Sequence, residues 1–122
     1  MADHRRARVE HSLRAELASL LQLEAKDPRL ATVTVSEVRL TPDLRQARVF
    51  YRVLDQGADR KALEKALGQA TPFLRARVGR SLGLRVTPTL QFEYDTTPDA
   101  ARRVDELLRE SKGEPGDDEE PA

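Results

Sequence analysis

A strict alternation of apolar and polar residues over positions 84–95 restricts the fold of this chain more than any other feature. The apolar residues occupy every second position: Leu84, Val86, Pro88, Leu90, Phe92 and Tyr94. Because successive side chains of a strand point to opposite faces, the pattern predicts a strand with one face packed and the other in water. Pro88 donates no backbone hydrogen bond, which favours a sheet edge or an irregular start of the strand.

Two further strands are predicted upstream. Residues 32–40 form the first, and their apolar phase slips once between Val35 and Val38, which indicates a bulge or a twist. Residues 47–53 alternate again and form the second strand. A Thr-Pro-Asp turn signal at 41–43 separates them, so the two strands are expected to pair as an antiparallel hairpin.

Helical spacing of apolar residues predicts a first helix over about residues 5–24. It ends before Pro28, because proline pushes the preceding residue out of the helical conformation. A Thr-Pro pair at 97–98 signals the start of a short helix near the other end. The end of the chain has no apolar face and is rich in acidic residues, so we expect one domain over 1–110 and a disordered acidic tail over 111–122.

A longer helical region in the middle of the chain contains a proline. Proline inside a helix removes a backbone hydrogen bond, whereas it is favoured at the first helical position. The sequence therefore predicts two helices, over about 59–70 and 72–83, that meet at a kink formed by Ala70, Thr71 and Pro72.

Charge is distributed unevenly along the chain. The formal net charge is +0, yet residues 1–104 hold 19 Lys+Arg against 13 Asp+Glu (+6), and residues 105–122 hold 2 against 8 (−6). A basic domain favours a polyanionic partner, with nucleic acid as the first candidate. Arginine supplies 17 of the 21 basic residues, which phosphate binding and the codon bias of a GC-rich genome explain equally well.

The composition excludes several classes of protein. The absence of cysteine excludes a disulfide framework, thiol catalysis and a cysteine zinc site. No apolar run approaches the roughly 20 residues of a membrane span, and the start lacks the apolar stretch of a signal peptide, so a cytoplasmic protein is expected. The sequence has no Gly-rich phosphate loop and no Ser-His-Asp set, so no motif indicates an enzyme. His4 and His11 lie roughly 10 Å apart along the first helix, which makes a shared metal site difficult.

The order α-β-β-α-α-β predicts a two-layer α+β domain, with a three-stranded sheet and helices packed on one face. This order resembles a type II KH domain. KH domains grip nucleic-acid backbone with a GXXG loop between the two central helices. The chain has no such loop, and the predicted kink at residues 70–72 stands in its place.

Short motifs in a fixed order make the chain similar to the ribosome-binding factor A family over about residues 5–108. The matching segments are Arg8-Val9, Lys26-Asp27-Pro28-Arg29-Leu30, Thr34-Val35, Val38, Asp43-Leu44, Ala47, Val49, Phe73-Leu74-Arg75, Leu84-Arg85, Pro88, Leu90, Phe92 and Asp95. The family typically carries an Ala-x-Gly kink between the central helices. Here Ala70 matches this kink, but Pro72 stands where Gly is usual.

This resemblance implies a non-catalytic assembly factor with no cofactor and no small-molecule substrate. Its partners would be the free 30S small ribosomal subunit and 16S rRNA, bound by a monomer that has no contact with a membrane. Family members assist late maturation and processing of 16S rRNA and matter for growth in the cold. The alternative is a protein-binding adaptor with a KH-like fold, which binding retained at high salt would favour.

Two groups of arginines are the candidate RNA-binding residues. Arg5, Arg6 and Arg8 cluster on the first helix, where the alternative is a solvated helix end. The second group follows the predicted kink and comprises Arg75, Arg77, Arg80 and Arg85. For Arg75, an internal pairing that covers the core with its aliphatic stem is an equal alternative.

The arginines that flank Phe50 on the predicted second strand are a weaker candidate. Arg48 and Arg52 share a strand face with Phe50, and alternating arginine and aromatic side chains stack bases in some RNA-binding proteins. A face that lies in water or under helices is the favoured interpretation of this pattern.

Overall fold

The computed structural model describes residues 2–54, 57, 59–98, 104 and 107–108. The elements, in chain order, are α1 (Ala2–Leu23), a short 3-10 helix (Pro28–Thr32), β1 (Val33–Leu40), β2 (Gln46–Val53), α2 (Arg60–Leu82) and β3 (Thr89–Tyr94). The predicted tail at 111–122 and most of the helix predicted after 97–98 lie outside the described residues.

The sheet has the order β1-β2-β3, with β2 in the centre. β1 pairs with β2 as an antiparallel hairpin, and β2 pairs with β3 in parallel. The register of the hairpin shifts between Val35 and Glu37. Both the predicted hairpin and the predicted irregularity are therefore confirmed. Parallel pairing needs a long crossover connection, and α2 supplies it.

One face of the sheet packs against the two helices, which confirms the predicted α+β architecture. Tyr51 lies fully buried in β2, and its ring meets that of Tyr94 edge-on at 5.6 Å. The two helices contribute to the same core the buried residues Leu13, Leu17, Leu20, Leu21, Leu63, Ala66, Leu67, Leu74 and Val78.

Side chains of α1 cap the outer edge of β1. The carboxylate of Glu10 accepts a hydrogen bond from the backbone N–H of Leu40 at 2.8 Å. Arg14 donates to the backbone carbonyl of Val35 at 3.5 Å. These contacts occupy edge groups that would otherwise be open to another strand.

The predicted division of the central helical region is wrong. α2 runs without interruption from Arg60 to Leu82, with Pro72 inside it, so the observed order has one central helix where two were expected. Pro72 cannot donate to the carbonyl of Gly68, but both residues are exposed and water can satisfy that group. Burial continues on both sides of the proline, because Leu67 and Leu74 are part of the core.

The last strand is shorter than predicted. β3 begins at Thr89, so the alternating residues 84–88 lie outside it. Gly83 ends α2 in the left-handed conformation, with φ 60° and ψ 36°, which glycine adopts without steric cost. The alternation before Pro88 therefore belongs to a connecting segment. β3 is an edge strand, which is one of the two arrangements that Pro88, directly before it, favours.

Candidate nucleic-acid interface

Three arginines from separate parts of the chain line one pocket of about 190 Å³ at one end of the domain. Arg5 comes from the first turn of α1, Arg45 from the turn between β1 and β2, and Arg85 from the segment between α2 and β3. Asp43 is the acidic residue among its described lining residues. We call this site the arginine pocket.

The turn before β2 places Arg45 in the arginine pocket. Asp43 organises this turn, since its carboxylate accepts hydrogen bonds from the Thr41 hydroxyl at 2.6 Å and the Arg45 amide at 3.0 Å. These bonds hold the pKa of Asp43 below its ordinary value. Leu44 adopts φ 62°, a left-handed conformation that is costly for a branched side chain. Its packing against the core stabilises that conformation.

The opposite wall of the arginine pocket is the segment that carries Arg85. The Arg75 guanidinium donates to the backbone carbonyls of Pro88 at 3.0 Å and Thr87 at 2.9 Å. Thr87 also packs tightly on α2, since a Cβ on Gly79 would lie 2.5 Å from its hydroxyl oxygen. The segment is thus anchored to α2, while the amide of Thr89 donates to the carbonyl of Arg45 at 2.9 Å.

The structure therefore brings together only part of the predicted RNA-binding set. Arg5 and Arg85 share the arginine pocket, and Arg8 is exposed on the same helix as Arg5, whereas Arg6 is half-buried. Arg75 is engaged internally, although with backbone carbonyls rather than an acidic side chain. Sequence reasoning missed Arg45, although it follows the Asp43-Leu44 motif directly, because nothing in the sequence marks the left-handed turn at a leucine.

Arg77 and Arg80 lie on the C-terminal half of α2, outside the residues that line the arginine pocket. Arg77 forms an ion pair with Glu24, and its guanidinium lies 5.6 Å from the centre of the Phe73 ring. The hydrogen bond that the Arg77 guanidinium donates to the Glu24 carboxylate lowers the pKa of Glu24 and raises the pKa of Arg77. Glu24 follows the end of α1, so this pair lies roughly 28 Å along the helix from Arg5.

The predicted kink residues lie beside a second, larger pocket. Ala70 lines this pocket of about 440 Å³, whereas Thr71 and Pro72 do not. Its walls include Leu30, Ala66 and Phe73, and the Phe73 side chain is 38% exposed. The lining of the pocket is mainly apolar, and Glu24, Lys26 and Asp27 are its charged members.

The open face of the sheet carries matched charges. Arg39 pairs with Glu37 at 2.6 Å and Arg48 pairs with Glu93 at 2.8 Å. Both guanidiniums lie near Phe50, at 5.9 Å and 5.1 Å from the ring centre. The hydrogen bonds between Arg48 and Glu93 raise the pKa of the arginine and lower that of the acid. This face lies in water with its arginines paired, in agreement with the favoured interpretation of the sequence.

The described residues contain no group of three or more His, Cys, Asp or Glu side chains placed to hold a metal ion. None of the helices within the same residues has the length and apolar character that crossing a membrane requires.

The fold and the arginine pocket define a small KH-like α+β protein with a cationic site at one end of its domain. A family model described as ribosome-binding factor A matches residues 5–108. The chain belongs to the ribosome-binding factor A family.

Relatives with this name are similar over most of the chain. "Ribosome-binding factor A" of Saccharopolyspora erythraea is 50% identical over 113 residues, which cover 92% of this chain and 68% of that protein. The protein of the same name from Frankia alni is 48% identical over 109 residues, covering 88% of this chain and 54% of the relative. The chain thus spans about half to two-thirds of the length of these relatives.

Solved structures agree with this assignment. The crystal structure of ribosome-binding factor A from Thermus thermophilus superposes with a TM-score of 0.65 at 30% identity, covering 73% of this chain and 94% of that one. A homology model of the Thermus thermophilus factor, fitted into the cryo-EM map of its 30S complex, gives a TM-score of 0.64 at 30% identity. It covers 75% of this chain and 98% of the fitted one.

Proposed function

We propose that this protein is a non-catalytic ribosome assembly factor that binds the free 30S subunit through phosphates of 16S rRNA. The observation that carries the proposal is a basic stretch of sequence in which Lys65, Arg80 and Arg85 are exposed and make no ion pair within the described residues. Residues 65–92 contain five basic residues and no acidic one, and they form much of α2 and the wall of the arginine pocket. Such a surface attracts a polyanion, and the Thermus relative fitted into a 30S complex supplies the candidate.

Binding would act on rRNA folding without any chemical step. A protein that binds one rRNA arrangement more tightly than another shifts the equilibrium between them by the difference in its binding free energies. The factor would hold one late arrangement of 16S rRNA during processing and leave when the subunit is complete. We extend the proposal to a monomer that acts in the cytoplasm and supports growth in the cold, as the family resemblance implies.

Sedimentation with purified ribosomal particles tests this function. The protein is expected to travel with free small subunits at low salt, and to leave them as salt rises because neutralised phosphates release counterions. Large subunits and whole ribosomes are the controls, with which the protein should not travel. Failure to bind free small subunits at any salt concentration would refute the proposal.

A protein-binding adaptor is the second candidate function. The observation that favours it is the apolar pocket beside Ala70, where the Phe73 side chain is partly exposed. Apolar contacts do not weaken with salt in the way that phosphate contacts do. Sedimentation with the subunit that persists at high salt would therefore favour the adaptor over the RNA-binding factor.

A further inference from the structure

We infer that the arginine pocket binds a single phosphate group of the RNA backbone, with Arg45 as a contacting residue. The inference rests on the function proposed above. Within the described residues, the guanidiniums of Arg5, Arg45 and Arg85 make no hydrogen bond and no ion pair. They are all exposed, so their donors remain available to a ligand.

The charge of the pocket indicates an anionic ligand. Three arginines face one carboxylate, that of Asp43, whose Oδ1 accepts hydrogen bonds from the Thr41 hydroxyl and the Arg45 amide. The lining therefore carries a net charge of +2. Like charges gathered in one place repel each other unless an anion neutralises them.

The open face of the sheet provides the internal comparison. There, Arg39 and Arg48 each have a carboxylate within 2.8 Å. The exposed arginines of the sheet face are thus neutralised by carboxylates, whereas Arg5, Arg45 and Arg85 have no ion pair within the described residues.

The backbone beside the pocket is held in a costly conformation. Leu44 at φ 62° directly precedes Arg45, and the amide of Leu44 donates to the carbonyl of Thr41 at 2.8 Å. Uncommon backbone conformations persist where the surrounding structure holds them, and they are concentrated at binding sites. The tight turn places Arg45 in the same pocket as two other cations, which charge repulsion alone would oppose.

The size of the pocket selects a phosphate group over a whole metabolite. Its volume of about 190 Å³ is below the roughly 300–1,000 Å³ of pockets that enclose small-molecule ligands. Guanidinium groups bind phosphate oxygens through paired N–H donors. A phosphodiester of an RNA strand offers that group while the rest of the ligand stays outside.

A double-mutant cycle tests whether two arginines share one phosphate. Arg45→Gln, Arg85→Gln and the double variant are compared for affinity to purified small subunits at fixed salt. Each single change is expected to weaken binding roughly tenfold, as for one lost charge-assisted contact. The double variant should be little weaker than either single one, because the shared phosphate is already released.

Lys61→Gln is the matched control. It removes one positive charge from the exposed first turn of α2, outside the arginine pocket, and should leave affinity within about twofold of wild type. The logarithm of the binding constant falls linearly with the logarithm of the salt concentration. The magnitude of this slope is expected to decrease by about 0.7–0.9 for Arg45→Gln and to stay unchanged for Lys61→Gln. Circular dichroism and the unfolding midpoint confirm that each variant is folded.

Four results would overturn the inference. If the Arg45→Gln variant binds the small subunit as tightly as the Lys61→Gln variant, the pocket contacts no phosphate, while the proposed function stands. If the affinity losses of the two single variants multiply in the double variant, the two arginines contact separate phosphates. Full competition by inorganic phosphate at constant ionic strength would make the pocket a free-phosphate site. Wild-type protein that binds no subunit would remove the proposed function and the pocket assignment together.

Discussion

The arginines of this molecule occupy two kinds of environment, which differ in the partner of the guanidinium group. Arg75 fastens the segment before β3 to α2 through two backbone carbonyls, and Arg77 joins α2 to the end of α1 through Glu24. Arg45 and Arg85 instead face a pocket without an ion pair in the described residues. Residue type alone predicted a basic surface, and only the geometry separates the arginines with internal partners from those that line the pocket.

Arg80 and Arg77 should respond differently to charge reversal. Arg80→Glu is expected to weaken binding to the small subunit without changing the unfolding midpoint, because the side chain is exposed and makes no ion pair in the part of the chain that the structure describes. Arg77→Glu should lower the midpoint, since it places a second carboxylate beside Glu24. Sedimentation and thermal unfolding of both variants check this. Normal binding by Arg80→Glu would remove Arg80 from the RNA-contacting set.

Asp43 should make stability fall in acid. The Thr41 hydroxyl and the Arg45 amide hold its pKa below the ordinary value, so its contribution to stability is complete above the unfolded pKa of about 3.9. The contribution is lost as pH falls through the lower folded pKa. Thermal unfolding between about pH 5 and pH 3 should show a smaller decline for Asp43→Asn than for wild type. Equal declines would contradict this assignment.

At the scale of elements, α2 connects the two regions of interest. Its middle borders the apolar pocket through Ala70 and Phe73, and its end leads through Gly83 into the wall of the arginine pocket. The helix also carries three glycines or prolines that weaken it locally: Gly68, Pro72 and Gly79. Packing of its apolar stripe on α1 and the sheet outweighs these weak positions.

Two glycines of α2 form a matched pair for a stability test. Gly68→Ala should stabilise the protein by roughly 0.5–1 kcal/mol, because an added Cβ meets nothing within 4 Å. Gly79→Ala should instead destabilise the protein, since the added Cβ would lie 2.5 Å from the Thr87 hydroxyl oxygen. Urea unfolding measures both. A gain at Gly79 equal to that at Gly68 would show that Thr87 moves away freely.

Local pattern predicted the elements better than their limits. The hairpin, its irregularity near Val35 and the edge position of β3 follow from alternation and proline chemistry. The continuity of α2 does not, because the cost of Pro72 is local whereas the burial of Leu67 and Leu74 that outweighs it is tertiary. The arginine pocket was not predicted. Arg5 and Arg85 were candidates in two separate groups, and Arg45 was missed because its turn depends on how Leu44 packs.

At the scale of the whole molecule, charge is arranged by region. The sheet's open face neutralises its arginines with Glu37 and Glu93, whereas residues 65–92 contain no acid. Residues 1–104 carry a net charge of +6 and residues 105–122 carry −6, so charge is separated along the chain. Separated charge orients a protein as it approaches a polyanion.

The association rate with small subunits should depend strongly on salt. Raising the salt from about 50 to 200 mM should slow association at least severalfold, because screening shortens the reach of the basic surface. The dissociation rate should change less. Stopped-flow measurements with labelled protein check both rates, and Lys61→Gln serves as a variant with one charge fewer. An association rate independent of salt would argue against electrostatic steering.

The arginine pocket joins residues 5, 45 and 85, so it does not exist in any shorter stretch of the chain. Its last wall is fixed when β3 pairs in parallel with β2, after α2 has been made. A nascent chain emerging from the ribosome that synthesises it therefore has its basic residues but lacks the assembled site. Newly made protein acquires the pocket only once translation has passed β3, so the ribosome that produces this protein would be distinct from the subunit that we propose it binds.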